Sequence, residues 1–94
     1  MTRDDFEWDE AKAAENYAKH GVSFETAIEV FKDPFAAERL DDREGYGEDR
    51  FILIGTAEGV LLTVVHTERN DRIRIISARR ATKHEQDDTF TENS

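Results

Sequence analysis

The sequence predicts an α+β domain. Two N-terminal helices pack on one face of a three- to four-stranded antiparallel sheet, and a short helix follows at the C-terminus. Three observations lead there. Apolar residues repeat with a helical period between Ala11 and Phe31, then with strand-like patterning between Arg50 and Ala78. The single proline, Pro34, stands where one pattern gives way to the other. Two polar breaks, Glu58-Gly59 and ERND (68–71), divide the second half at hairpin spacing.

Each element has a local reason. Asp9 suits a helix N-cap and Glu10 the electropositive first turn. Ala11, Ala14, Tyr17 and Ala18 then fall on one face of a helix over 10–20, and Lys19, His20 and Gly21 suit its end. Ser23 caps a second helix, with Val22 positioned to staple onto Ala27. Phe24, Ala27, Ile28 and Phe31 form its apolar stripe, and Pro34 disfavours helical geometry at Asp33 and ends it. FAAERL (35–40) is a weak edge-strand candidate, and DDREGYGED (41–49) is a polar loop that exposes Tyr46. RFILIGTA (50–57), VLLTVVHT (60–67) and RIRIISA (72–78) are the strands of the meander. The expected core is Phe24, Ile28, Phe31, Leu53, Leu62, Val64, Ile73 and Ile75, with Phe6 and Trp8 packed beside it. ARRATKHE then reads as helical, and residues 84–94 as a frayed tail of a single domain spanning 1–94.

Charge narrows the function. The chain carries a formal charge of -9, yet residues 60–84 hold six basic groups against two acidic ones. Such segregation points to an anionic partner at one place only. With no cysteine there is neither a disulfide scaffold nor a thiolate metal site. His20, His66 and His84 lack metal-ligand spacing, and no glycine-rich phosphate loop occurs. No cofactor or metal is therefore expected. The acidic N-terminus is unlike a signal peptide and the apolar runs are too short for a membrane span, so a cytoplasmic protein is expected.

The ordinary reading of outward arginines on a strand is a solvated surface. The charge segregation favours a phosphate-binding face instead, because arginine presents a planar fork suited to phosphate oxygens. Simple alternation puts Arg72 and Arg74 on one face and Arg79 on the other. A bulge near Ser77 would bring Arg79 round to join Arg74, and the sequence leaves both arrangements open. His66, at the end of the central strand, is the candidate proton-transfer group.

The stretches FEWDEAKAAENYAKHGVSFETAIEVFKDP (6–34), RFILIG (50–55), LLTVVHTER (61–69) and RIRIISARRAT (72–82) resemble, in order, the BrnT family of toxins. The resemblance covers roughly residues 6–83, and FEWD, KHGVSF, the DP helix stop and ISARRA are its specific marks. It implies a RelE-like ribonuclease fold and RNA cleavage that halts translation. It also implies a ribbon-helix-helix antitoxin partner similar to BrnA, through which DNA is reached only indirectly. The chain departs from the family after Lys83, where KHEQDDTFTENS is acidic and the family carries a basic helix. For metal-independent cleavage by 2′-OH attack, Arg74 and Arg79 are the candidates to oppose transition-state charge and His66 the candidate acid–base group, by its intrinsic pKa. Arg69, Arg72, Lys12, Lys19 and His20 would bind RNA. The alternative is a non-catalytic module whose arginine face docks an antitoxin and serves operon autorepression.

Overall fold

The computed structural model describes residues 5–41 and 47–87. Strand β1 (Phe6–Glu7) leads into helix α1 (Glu10–His20) and helix α2 (Phe24–Ile28), which tightens into a 3-10 turn over Glu29–Lys32. Strands β2 (Ala37–Asp41), β3 (Arg50–Ala57), β4 (Val60–Arg69) and β5 (Arg72–Arg80) follow, then a helical turn α3 (residues 83–87). The sheet order is β1-β5-β4-β3-β2. β2 to β5 form the antiparallel meander, with β2 on the edge.

The caps act as their side chains dictate. The Asp9 carboxylate accepts the N–H groups of Ala11 at 2.8 Å and Lys12 at 3.1 Å, and Gly21 ends α1 in the left-handed region at φ 70°. Ser23 Oγ accepts the Thr26 N–H at 3.0 Å to start α2. The turns at Glu58-Gly59 and Asn70-Asp71 have positive φ at both residues, the geometry that matches the twist of a two-residue hairpin.

The core lies between the α2 segment and one face of the sheet. Phe24, Ala27, Ile28 and Val30 are buried against Leu53, Leu62, Val64, Ile75 and Ala78. Trp8 meets Phe24 edge-on at 5.9 Å and Phe6 meets Phe31 at 5.1 Å. Phe31 and Ile73, expected in the core, are half-buried at its margin.

Four features differ from the expectation. The sheet is mixed and five-stranded, because Phe6 and Glu7 pair in parallel with Ile73 and Arg74. A two-residue strand has no period to read. The strand expected to end at Ala78 continues to Arg80, so the last helix begins only at residue 83. Residues 84–87 belong to that helix; residues 88–94, like Tyr46 and the rest of 42–46, lie outside the described residues.

The fourth difference concerns α1. Its supposed apolar face, Ala11, Ala14, Tyr17 and Ala18, points outward, and Tyr17 is 55% exposed. The buried residue of α1 is Asn16. Its Nδ2 donates to Ala78 O at 2.8 Å and Val22 O at 2.9 Å, and its Oδ1 accepts from Ala78 N at 3.1 Å. The side-chain amide stands in for a strand on the stretch of β5 that β1 does not reach. Backbone hydrogen bonding thus outweighs apolar burial in orienting this helix.

Candidate functional site

The geometry of the site begins with an irregularity in β5. Ile75 pairs with His66 and Ser77 with Val65, so Ile76 is an extra residue in the strand. The bulge resets the alternation. Arg74 lies opposite Thr67 and Arg79 opposite Thr63, two threonines on the same face of β4. Arg74 and Arg79 therefore share the sheet face turned away from α2.

Every arginine expected at the site already has a carboxylate partner. Arg74 Nη1 lies 2.9 Å from Glu7, which also approaches Arg72 at 3.5 Å. Arg69 pairs with Glu48 at 2.9 Å, and its hydrogen bond pulls the Glu48 carboxyl below its ordinary pKa. Arg79 makes a two-pronged pair with Glu85, at 2.7 and 2.8 Å. The same carboxylate accepts from Thr63 Oγ1 at 3.0 Å and Thr82 N at 2.8 Å, while Thr82 Oγ1 accepts from Glu85 N. Thr82 and Glu85 form a capping box that starts α3 and lays it over the face bearing Arg79. The Arg79 hydrogen bonds, ahead of the other partners, pull Glu85 down to about 2.

His66 is elsewhere. Its position opposite Phe51, paired with Leu40 across β3, puts it on the α2 side of the sheet. It is 3% exposed, stacked on Phe51 at 5.6 Å and capped edge-on by Phe31 at 4.9 Å. Nε2 lies 3.0 Å from the Glu38 carboxylate, which fixes the proton on Nε2, and Nδ1 is buried without a hydrogen-bond partner among the described residues. Burial pushes its pKa down, against a smaller upward pull from Glu38. The expectation that His66 joins the arginines is corrected: the sheet lies between them.

The α1 cations do reach the bulge. Lys12, Lys19 and His20, one helical stripe with Asn16 between them, face Ile76 and Ser77 across a cavity of about 260 Å³. Glu15 is the acidic residue at its rim. Ser77, which lines this cavity, shares a sheet face with Arg79 two residues further on. Among the described residues Lys12, Lys19 and His20 form no ion pair, in contrast to the arginines.

The structure thus puts Arg74 and Arg79 on one sheet face, lines the cavity at the bulge with Lys12, Lys19 and His20, places Arg69 and Arg72 at the turn end of the β4–β5 hairpin, and leaves His66 in the core. Sequence reasoning missed Asn16, Glu7 and Glu85. Only Glu85 carried a readable signal, the T-x-x-E spacing from Thr82. Among the described residues no three histidine, aspartate or glutamate side chains are grouped to hold a metal ion, and no helix is long and apolar enough to cross a membrane.

No curated protein matches the chain. A family model does: residues 8–85 match the ribonuclease toxin BrnT of type II toxin–antitoxin systems. That span contains the α1 cations, the β5 bulge and the Arg79–Glu85 pair, and it covers most of the 94 residues. The chain belongs to the BrnT family of ribonuclease toxins.

Proposed function

We propose that the protein is a metal-independent endoribonuclease whose reacting phosphate sits at the β5 bulge, between Arg79 and the α1 cations. One observation carries the reading. The bulge puts Arg74 and Arg79 on one face, and its residues Ile76 and Ser77 line a cavity together with Lys12, Lys19 and His20. In this reaction the 2′-oxygen of the RNA forms a bond to the adjacent phosphorus as the bond to the 5′-oxygen breaks. The 2′-OH loses its proton and the leaving 5′-oxygen gains one. The products are a 2′,3′-cyclic phosphate and a 5′-hydroxyl. Negative charge grows on the phosphoryl oxygens, where the guanidiniums of Arg79 and Arg74 oppose it. A guanidinium carries five N–H donors in a planar fork, so a carboxylate that fixes two of them orients the remainder. Glu85 itself is too acidic to take the 2′-OH proton at neutral pH. His20, at the cavity, is the imidazole placed for proton transfer.

The partner in this reading is a small BrnA-like, ribbon-helix-helix antitoxin that covers the site, and the setting is the cytoplasm. A second reading has support in the carboxylates on Arg69, Arg72, Arg74 and Arg79, which neutralise the sheet face. In that reading the chain is a non-catalytic module that docks the antitoxin. Purified protein incubated with RNA, with and without a chelator, separates the two. Wild type is expected to cleave in both, leaving cyclic phosphate ends. Arg79→Ala and Arg74→Ala are each expected to lose about 3–4 kcal/mol of transition-state stabilisation, a factor of roughly 10²–10³ in rate. Folded variants that cleave at the wild-type rate would remove both arginines from the reaction, and a wild type that never cleaves would favour the docking module.

A further inference from the structure

We infer that single-stranded RNA crosses the molecule along the seam between α1 and the edge of β5, and that Arg80 is a phosphate-binding residue on this track. The inference rests on the ribonuclease reading above and assigns the path of the substrate backbone. Three cations along the seam, Lys12, Lys19 and Arg80, form no ion pair among the described residues, and neither does His20 beside them. The arginines at the turn end of the β4–β5 hairpin, Arg69 on β4 and Arg72 on β5, are held by Glu48 and Glu7. A polyanion gains most where positive charge is not already balanced.

The seam is also concave along its length. His20 lines both the cavity at the bulge and a second one of about 380 Å³. Arg80 stands on the wall of the second cavity, opposite Leu62 in the strand register and therefore on the α2 side of the sheet. Val22, Val60 and Leu62 give that cavity an apolar floor, and Glu58 is the carboxylate on its lining. A cation beside an apolar floor suits a nucleotide, whose phosphate needs the charge and whose base needs a surface to lie on. Arg79 and Arg80, adjacent in β5, project to opposite faces of the strand. The strand's end thus presents one arginine to the reacting phosphate and the next to the following stretch of backbone.

The test uses a 2′-O-methyl single-stranded oligoribonucleotide, which has no 2′-OH nucleophile and is bound without being cut. Its affinity for the full chain is measured across a salt series, alongside cleavage of the unmodified RNA. Arg80→Ala is expected to weaken binding several-fold and reduce the slope of log affinity against log salt by about 0.7, the value for one phosphate contact on a single strand. Lys12→Ala with Lys19→Ala should reduce it by about 1.4. Arg80→Lys should keep the slope, and Arg72→Ala should leave it unchanged. If wild type cleaves RNA but Arg80→Ala binds with the wild-type slope, the track is wrong and the ribonuclease reading stands. If Arg72→Ala lowers the slope instead, the backbone runs over the other end of β5. If wild type neither binds nor cleaves RNA, the ribonuclease reading fails and the track with it. If Arg80→Ala weakens only antitoxin binding, the second cavity is a protein interface and the inference is overturned.

Discussion

His66 shows how one histidine can look catalytic in sequence and act in the core. A histidine at the end of a β-branched strand, close to arginines in sequence, has the right chemistry for proton transfer. Its face of the sheet decides otherwise, and that face depends on the register with Phe51 and Ile75. Because burial lowers the pKa of the folded imidazole, the unfolded chain binds this proton more readily than the folded one. The contribution of this group is complete above the unfolded pKa of about 6.5 and is lost as pH falls below it. The urea midpoint of the wild type should therefore drop between pH 7.5 and 5.5. His66→Phe, which suits the slot between Phe31 and Phe51, should flatten part of that drop. The difference between the two proteins isolates His66 from His20 and His84. A variant with the wild-type pH dependence would show that another group is responsible.

At the scale of elements, the bulge in β5 is the feature to remove. Deleting Ile76 leaves Ile75 and Ser77 adjacent, and both keep their β4 partners and their faces. The shortened strand is regular, with Arg74 and Arg79 still on one side. What changes is the bulge itself, whose extra residue, Ile76, lines the cavity facing α1. The deletion is expected to fold by circular dichroism and to lose RNA cleavage, because α1 no longer faces the same cavity. A deleted chain that cleaves normally would detach the bulge from the site. Much of the element level was legible beforehand. The caps at Asp9 and Ser23, the stop at Pro34 and the hairpin at Glu58-Gly59 are set by local chemistry, and all stand where that chemistry puts them. The orientation of α1 was not legible. Its alanines suit an apolar face, and only the polar edge of β5, some 60 residues later, explains why Asn16 is turned inward. The placement of Arg79 was half legible: the alternation named the two faces, and one inserted residue chose between them.

Across the whole molecule, acid surrounds a small positive seam. The formal charge of -9 would keep nucleic acid off most of the surface, and in the proposed reading Lys12, Lys19 and Arg80, which form no ion pair among the described residues, attract it locally. An antitoxin that covers the seam should carry the opposite sign there. Expression of the chain alone is expected to arrest growth, and co-expression of the antitoxin encoded beside it to restore growth. A chain that is harmless alone, with no such partner gene adjacent, would count against toxicity. The Asn16–Ala78 clip has a further consequence in time. It joins positions 62 residues apart, and β1 must wait for Ile73 and Arg74 before it can pair at all. Contacts of such long sequence separation form late, after the entropy of closing the intervening chain has been overcome. During synthesis α1 and α2 emerge well before β5. The cavity between α1 and β5 therefore cannot assemble until that strand has left the exit tunnel.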